Sequence, residues 1–312
     1  MTYKQIKFLI MRELQGARRT RGIMLMVVVM PLLFWGVQIV LPLMRLGLVA
    51  NSGGTSQNSE ISPIENLTPQ DVSLDLGMPL MIALLVTFFT AVPYISSAIA
   101  GEKEKKTLES LLSLPLSRQK ILSAKIVAGS LLGIISVIVN LTCFIIYQFV
   151  TNEIVAPSNN WSSIVFATYL SPTLIPMFGL TLMLCTLLNL GIGISIASLA
   201  KSAETSRQIF TLFMMPMLVF LTINLFTGIP EMLSMSLVSP LPLLLYLVPW
   251  EHALAIFQKT LLPQYFTSNN LLLIPIGNIW ADVVFHLISI VFTLFLVIWI
   301  AAKVFERESL VN

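Results

Sequence analysis

The chain has 312 residues, of which 56% are hydrophobic and 11% are charged, and its formal net charge is +3. A soluble domain carries about a quarter charged residues, so this composition, with a mean hydropathy of +0.88, excludes an ordinary soluble protein. The positive charge does not indicate a nucleic-acid partner, because the basic residues flank apolar runs, where anionic lipid headgroups attract them.

Residues 1–21 are predicted to form a helix that lies in the inner interface of the membrane. Apolar residues recur at helical spacing, and the basic residues fall mostly on the other side. The apolar set is Tyr3, Ile6, Ile10, Leu14 and Ala17. A positively charged flank with no further role is the alternative, and this segment alone does not decide between the two.

Six transmembrane helices are predicted after this segment, since about 20 apolar residues cross a bilayer as a helix. They are 22–44, 78–100, 126–150, 177–200, 209–226 and 283–302. Prolines interrupt the segment 227–280, and each removes a backbone donor that lipid cannot replace. We therefore predict an all-α membrane protein with one transmembrane domain over 1–312. In it, 227–280 forms a broken re-entrant region on the outer side or a surface subdomain packed on the spans.

The distribution of Lys and Arg gives an independent test of six spans, because short cytoplasmic loops collect basic residues. With both termini in the cytoplasm, sixteen of the eighteen Lys and Arg residues lie on the inner side, and Arg45 and Lys259 are the exceptions. A seventh span in the proline-rich run would place Lys303 and Arg307 outside. The asymmetry therefore favours six spans.

The cytoplasmic segment 101–125 joins the second and third spans and carries the main functional signal. Its stripe residues recur at i, i+3, i+4 and i+7, which places them on one face of a helix. They are Leu108, Leu111, Leu112 and Pro115. Ser117 is a candidate cap for the following helix. A short apolar stripe of this kind binds either the inner membrane surface or a hydrophobic groove on a soluble partner.

This segment resembles the coupling segment of ABC-2 type (type 2 exporter) permeases. The family pattern has acidic residues, then Thr-Leu-Glu, a Leu pair, Pro, Ser-Arg and a Lys at the next span. The matching residues are Glu102, Glu104, Thr107, Leu108, Glu109, Leu111, Leu112, Pro115, Ser117, Arg118, Ile121 and Lys125. The chain departs from the pattern at Lys106 and Ala124, where the family often has glycine.

The resemblance implies that the chain is a permease subunit in the cytoplasmic membrane of a prokaryote. It implies two partners: a second permease copy, identical or paralogous, and a separate ATP-binding subunit that receives the coupling helix. ATP and magnesium are expected on that subunit, since this chain lacks a GxxxxGK[ST] loop to hold nucleotide phosphates. Membrane lipid is the remaining expected partner, and no nucleic acid is expected.

No catalytic or metal site is predicted, because His252 and His286 are far apart in sequence and have no cysteine neighbours. We interpret Glu251 and His252 as an ordinary polar turn at the outer surface. Asp282 and His286 stand four residues apart near the outer end of the last span. They could relay protons or bind a cation, although anchoring at the interface is the preferred interpretation.

The spans contain almost no charged residues, which suits a hydrophobic or lipid-linked cargo exported in an ATP-driven cycle. Candidate residues along the path are Trp35, Gln38, Phe88, Phe213 and Asn224. Aromatic residues in a span are also common in packing or facing lipid. An ion-coupled secondary transporter and a sodium-exporting ABC permease are the alternative functions.

Overall fold

All secondary structure in the described part of the chain is helical. The computed structural model describes residues 3–51, 69–107, 117–150, 174–213, 215, 249–261 and 279–311. The helices are α1 (Tyr3–Arg19), α2 (Arg21–Met24, a π-helical turn Leu25–Val29, and Met30–Asn51), α3 (Pro69–Ile95, a π-helical turn Ser96–Ala100, and Gly101–Glu104), α4 (Arg118–Phe149), α5 (Leu174–Leu199), α6 (residues 203–213), α7 (Pro249–Leu261) and α8 (Ile279–Val311).

Five helical stretches are long and apolar enough to cross a bilayer. They are Arg21–Val40, Met81–Glu104, Gln119–Tyr147, Ile175–Leu199 and Val283–Arg307. Each overlaps one of the predicted spans. The remaining predicted span, 209–226, meets the described residues only at its start, in α6 and at Met215. The six-span layout therefore stays a prediction.

Polar contacts join segments that the distribution of basic residues predicts to lie on one side of the membrane. They connect Lys125 to Glu13 and Glu102, Glu104 to Ala203, and Gln119 to Glu306. The start of α4 therefore lies beside α1, the last turn of α3 and the last part of α8. We call this end of the helix bundle the basic end.

The core differs in composition along the bundle. Toward the basic end it contains many small residues, including Ala98, Ala128 and Ala197. Small side chains let membrane helices approach closely. At Gly129 of α4, for example, a Cβ atom would lie 2.8 Å from Cε1 of Tyr94 in α3. The helix contact at this position therefore depends on glycine.

The other half of the bundle has an aromatic core. Its residues include Trp35, Phe88, Phe144, Phe178, Trp250 and Phe257. Several rings pack directly on each other, with 4.5 Å between the ring centroids of Phe144 and Phe178 and 5.3 Å between those of Phe88 and Trp250. Ring pairs at these separations add to the stabilisation that burial gives. The aromatic core thereby fixes α7 against α3.

Helix α7 and the first two residues of α8 are the described parts of the segment 227–280. Residues 249–257 are all buried, including Glu251 and His252. The interpretation of Glu251 and His252 as a polar turn at the outer surface is therefore wrong. The sequence pattern shows why: Trp250, Leu254 and Phe257 recur at helical spacing and bury that side of α7 in the aromatic core. The polar neighbours are buried with them.

Candidate functional site

The apolar stripe of the coupling segment lies outside the described residues. Leu108, Glu109, Leu111, Leu112 and Pro115 all fall in the range 108–116. Their role in docking therefore stays a prediction. The structure describes the two ends of the segment, where α3 ends and α4 begins, and these ends form the candidate site.

Lys125 of α4 lies at the centre of this site. Its side chain is fully buried, and its ammonium group donates three hydrogen bonds. The acceptors are Glu13 Oε1 of α1 at 3.0 Å, Glu102 Oε2 of α3 at 2.8 Å and the carbonyl oxygen of Ala98 at 2.6 Å. Every proton of the ammonium group thus has an acceptor, and one side chain joins three helices.

This complete pairing is what allows a charge to be buried here. An unpaired ammonium in a protein interior would lose several kcal/mol of hydration, on the order given by continuum estimates. Two carboxylates and a carbonyl replace that hydration. The carbonyl comes from Ala98, inside the π-helical turn Ser96–Ala100, and such turns often occur at functional sites. The irregular turn of α3 is therefore part of the site.

Helix α1 is held to the start of α4 by apolar contacts as well as by Glu13. Leu9 packs with Ile121 and Ala124 in a small buried cluster. From α3, the Tyr94 hydroxyl donates to the backbone carbonyl of Lys125 at 3.0 Å. The amphipathic pattern predicted for 1–21 is thus used to bury one face of α1 against the bundle.

Glu104 and Lys103 connect the same site to the turn between α5 and α6. Glu104 Oε2 accepts a hydrogen bond from the backbone N–H of Ala203 at 3.1 Å, at the first turn of α6. A carboxylate is stabilised there by the unpaired N–H groups and the helix dipole. Lys103 Nζ donates to the carbonyl oxygen of Ser198 near the end of α5. The end of α3 is therefore bonded directly to α4, α5 and α6, and it is connected to α1 through Lys125.

Lys106 has a backbone conformation that favours glycine. Its φ is 56°, in the left-handed region. The turn is closed by Lys106 N–H, which donates to the carbonyl of Lys103 at 3.0 Å, and by the Thr107 hydroxyl, which donates to the carbonyl of Glu102 at 3.2 Å. Residues other than glycine are disfavoured in this region. The backbone conformation therefore explains why the ABC-2 permease pattern often has glycine at the position that Lys106 occupies here.

Ser117 begins α4 from an extended conformation, with φ −68° and ψ 142°. Its carbonyl oxygen accepts hydrogen bonds from the N–H groups of Lys120 and Ile121. Its side chain makes no capping hydrogen bond. Ser117 is therefore the residue before the first turn, as predicted, but it caps α4 without its hydroxyl group. Arg118 is the first residue of α4.

The candidate path residues lie in different environments. Trp35, Gln38 and Phe88 are buried, and Trp35 Nε1 donates to Oδ1 of Asn140. Phe213 is exposed. Asn224 lies outside the described residues. Trp35 and Phe88 belong to the same buried aromatic core, whereas Phe213 is exposed, so the described candidates do not share one environment.

Two buried histidines meet in the half of the bundle away from the basic end. Nδ1 of His252 in α7 lies 2.7 Å from Nδ1 of His286 in α8. Sequence reasoning missed this contact because the two positions are 34 apart in the sequence and α7 was not predicted as a helix. The side chain of Asp282 is outside the described residues, so its predicted pairing with His286 stays a prediction.

Glu13 is the main site residue that sequence reasoning missed. A signal was present: Glu13 stands three residues after Ile10 and four before Ala17, so it falls beside the apolar stripe of α1. A carboxylate on a buried face requires a positively charged or hydrogen-bonding partner. Lys125 also stands in an apolar run of the sequence, so it needs a negatively charged partner in the same way and is a candidate to pair with Glu13.

These features define a multi-pass helical membrane protein whose helices are joined at one end by a buried ion-pair network. The sequence model of the ABC-2 family transporter proteins matches residues 9–310. The chain belongs to this family and is an ABC-2 type permease, a membrane transport component that normally works with an ATP-binding subunit. Comparison with curated proteins gave no match.

Proposed function

We propose that this permease is part of an ATP-driven exporter that moves a hydrophobic or lipid-linked substrate outward across the cytoplasmic membrane. Two permease copies would face each other, and each would dock its coupling segment on a separate ATP-binding subunit. That subunit holds ATP and magnesium. In this arrangement the basic end faces the cytoplasm, as the distribution of Lys and Arg predicts.

The observation that carries this proposal is the anchoring of both ends of the coupling segment in one buried network. Glu102 precedes the segment 108–116 and Lys125 follows it, and their side chains bond directly. Glu13 extends the network to α1, and Glu104 extends it to α6. A displacement of the coupling segment by a partner would therefore move four helices together instead of bending one loop.

The buried polar groups of the spans support an apolar or lipid-linked substrate. They are mainly amides and hydroxyls, such as Asn140, Asn189 and Thr87, in an aromatic and aliphatic surrounding. Fixed charges in the described spans concentrate at the basic end. A bare ion crossing the bilayer would require more compensating charge along its path.

The test is to place a charge on the predicted docking face. Leu111→Glu should still insert into the membrane, but it should lose roughly tenfold or more of the copurifying ATP-binding subunit, because a buried unpaired carboxylate would oppose docking. Substrate-stimulated ATP hydrolysis should fall in parallel. The measurement is the amount of ATP-binding subunit retained on affinity-tagged permease at matched permease levels.

Ser110→Glu is the matched control. In a helix, Ser110 lies about 200° from Leu108, away from the apolar stripe, so the same charge should leave docking within about twofold of wild type. If the Leu111→Glu complex assembles and transports like wild type, the segment does not dock through its leucines. If Ser110→Glu and Leu111→Glu lose the subunit equally, the apolar face is not the docking surface.

A second candidate function is export coupled to a proton or sodium gradient. The observation that favours it is the burial of Glu251, His252 and His286 beside the aromatic core, where buried polar residues such as Gln38 and Asn140 are uncharged amides. Ionisable residues at membrane depth commonly serve ion pathways. Transport that persists without ATP hydrolysis and collapses when an ionophore removes the gradient would select this candidate over the first.

A further inference from the structure

A cavity of about 330 Å³ lies between α1 and the last turns of α3, at the basic end. Gly16 of α1 lines it, and a Cβ atom added at this position would meet no other atom within 4 Å. Tyr94 and Ala98 of α3 line its inner part, and Arg12 and Arg19 line the α1 side. A space of this size can hold a small polar group.

The charges around the cavity favour an anion. Arg12, Arg19 and Lys105 line it and are exposed at its rim. The lining carboxylates, Glu13 and Glu102, are both bonded to the buried Lys125, and Glu102 Oε1 also lies 3.9 Å from Arg12 Nη2. These four cations and two carboxylates leave an excess of two positive charges. Arginine and lysine side chains beside a membrane surface are typical of sites for phosphate-bearing headgroups.

The exposed face of α1 beside the cavity is both apolar and basic. Phe8 and Met11 have relative exposures of 70% and 47%. Helical spacing places them on the same face as Arg12, Gln15 and Arg19, of which all three line the cavity. An amphiphile can use such a face fully, because its charged group meets the arginines while its apolar chains cover Phe8 and Met11. A soluble anion would leave the apolar part unused.

We propose that this cavity binds the phosphate of an anionic phospholipid from the adjacent membrane leaflet. Arg12 and Arg19 hold the phosphate from the α1 side, and Lys105 holds it from the end of α3. Because Lys105 directly precedes the turn at Lys106, the lipid ties α1 to the base of the coupling segment. The same phosphate chemistry could come from a soluble phosphate ester, so the test includes both sources.

Two pairs of variants separate a specific site from general attraction. Arg19→Gln and Arg18→Gln remove the same charge from neighbouring exposed positions of α1, but only Arg19 lines the cavity. Gly16→Phe fills the cavity, whereas Gly22→Phe adds the same ring at another glycine whose Cβ would also meet no atom within 4 Å. If one phenylalanine variant fails to fold, the arginine pair still decides the question.

The experiment is a lipid titration of the purified full-length permease in detergent micelles, with bound lipid counted by native mass spectrometry. The probes are dioleoylphosphatidylglycerol, dioleoylphosphatidylcholine and soluble glycerol 3-phosphate. Phosphatidylglycerol should bind wild type more tightly than phosphatidylcholine. Arg19→Gln and Gly16→Phe should weaken that binding by roughly tenfold, the effect expected for one charge-assisted hydrogen bond, and the two controls by less than about twofold.

Several outcomes would overturn the proposal. Equal losses in Arg18→Gln and Arg19→Gln would mean general electrostatic attraction, and unchanged binding in Gly16→Phe would place the lipid elsewhere. Equal binding of both lipids would remove the requirement for an anion. Displacement of phosphatidylglycerol by glycerol 3-phosphate at similar concentration would assign the cavity to a soluble phosphate. None of these measurements depends on the ATP-binding subunit, so the result stands apart from the proposed transport function.

Discussion

Replacing Lys125 with methionine would test the ion-pair network at the centre of the site. The side chain keeps nearly the same length but loses its charge, so Glu13 and Glu102 lose their common partner. Breaking a buried ion pair costs about 3–5 kcal/mol. Glu13 and Glu102 retain 9% and 16% side-chain exposure, and Arg12 Nη2 lies 3.9 Å from Glu102. Residual hydration and the nearby arginine partly compensate the two carboxylates. We therefore expect the substitution to lower the free energy of unfolding by about 3 kcal/mol, at the lower end of that range.

The assay is the melting midpoint of the detergent-solubilised permease, followed by gel filtration with fluorescence detection after heating. At roughly 2–4 °C per kcal/mol, Lys125→Met should lower the midpoint by about 6 °C or more. Lys303→Met is the matched control, since Lys303 lies at the same end of the bundle but is exposed. It should shift the midpoint by less than about 2 °C. A similar midpoint for the two variants would refute the reasoning.

A rescue variant distinguishes unpaired charge from lost packing. Adding Glu13→Gln and Glu102→Gln to Lys125→Met removes both carboxylates that the lysine paired. Replacing a whole buried ion cluster by uncharged groups often changes stability little. The triple variant should therefore recover at least half of the decrease in melting midpoint that Lys125→Met causes. If the triple variant is less stable than Lys125→Met alone, the stabilisation does not come from charge pairing.

Two further substitutions test the backbone and the helix packing by the same melting assay. Lys106→Gly should raise stability by about 1 kcal/mol, because φ is 56° at this position, and a lower midpoint would show that the left-handed conformation is not strained. Gly129→Ala should cost about 1–3 kcal/mol, since its Cβ would lie 2.8 Å from Tyr94 and 2.9 Å from Leu190. Gly36→Ala is the control, because a Cβ atom at Gly36 would meet no other atom within 4 Å and the substitution should be tolerated. Equal midpoints for the two alanine variants would contradict the close packing at Gly129.

The local pattern of residues was sufficient to predict the helical class and most of the spans. Apolar runs near 20 residues determine where a chain can cross a bilayer, because every backbone polar group there must be bonded within the helix. The clustering of Lys and Arg in alternate loops likewise predicted which segments would meet at one end. Lys125 was singled out as part of the family motif, yet nothing in that motif indicated its three acceptors.

The paired groups of the site come from distant parts of the chain, and only the tertiary structure decided their contacts. Glu13 and Lys125 are separated by 112 positions, and His252 and His286 by 34. The sequence by itself showed that each of these polar side chains would need a partner, since a charge on an apolar helix face cannot be buried alone. It could not determine the choice of partner, because that depends on which helices pack together and at what height along the bundle. Packing of α1 on α4 settled the first pair, and packing of α7 on α8 settled the second.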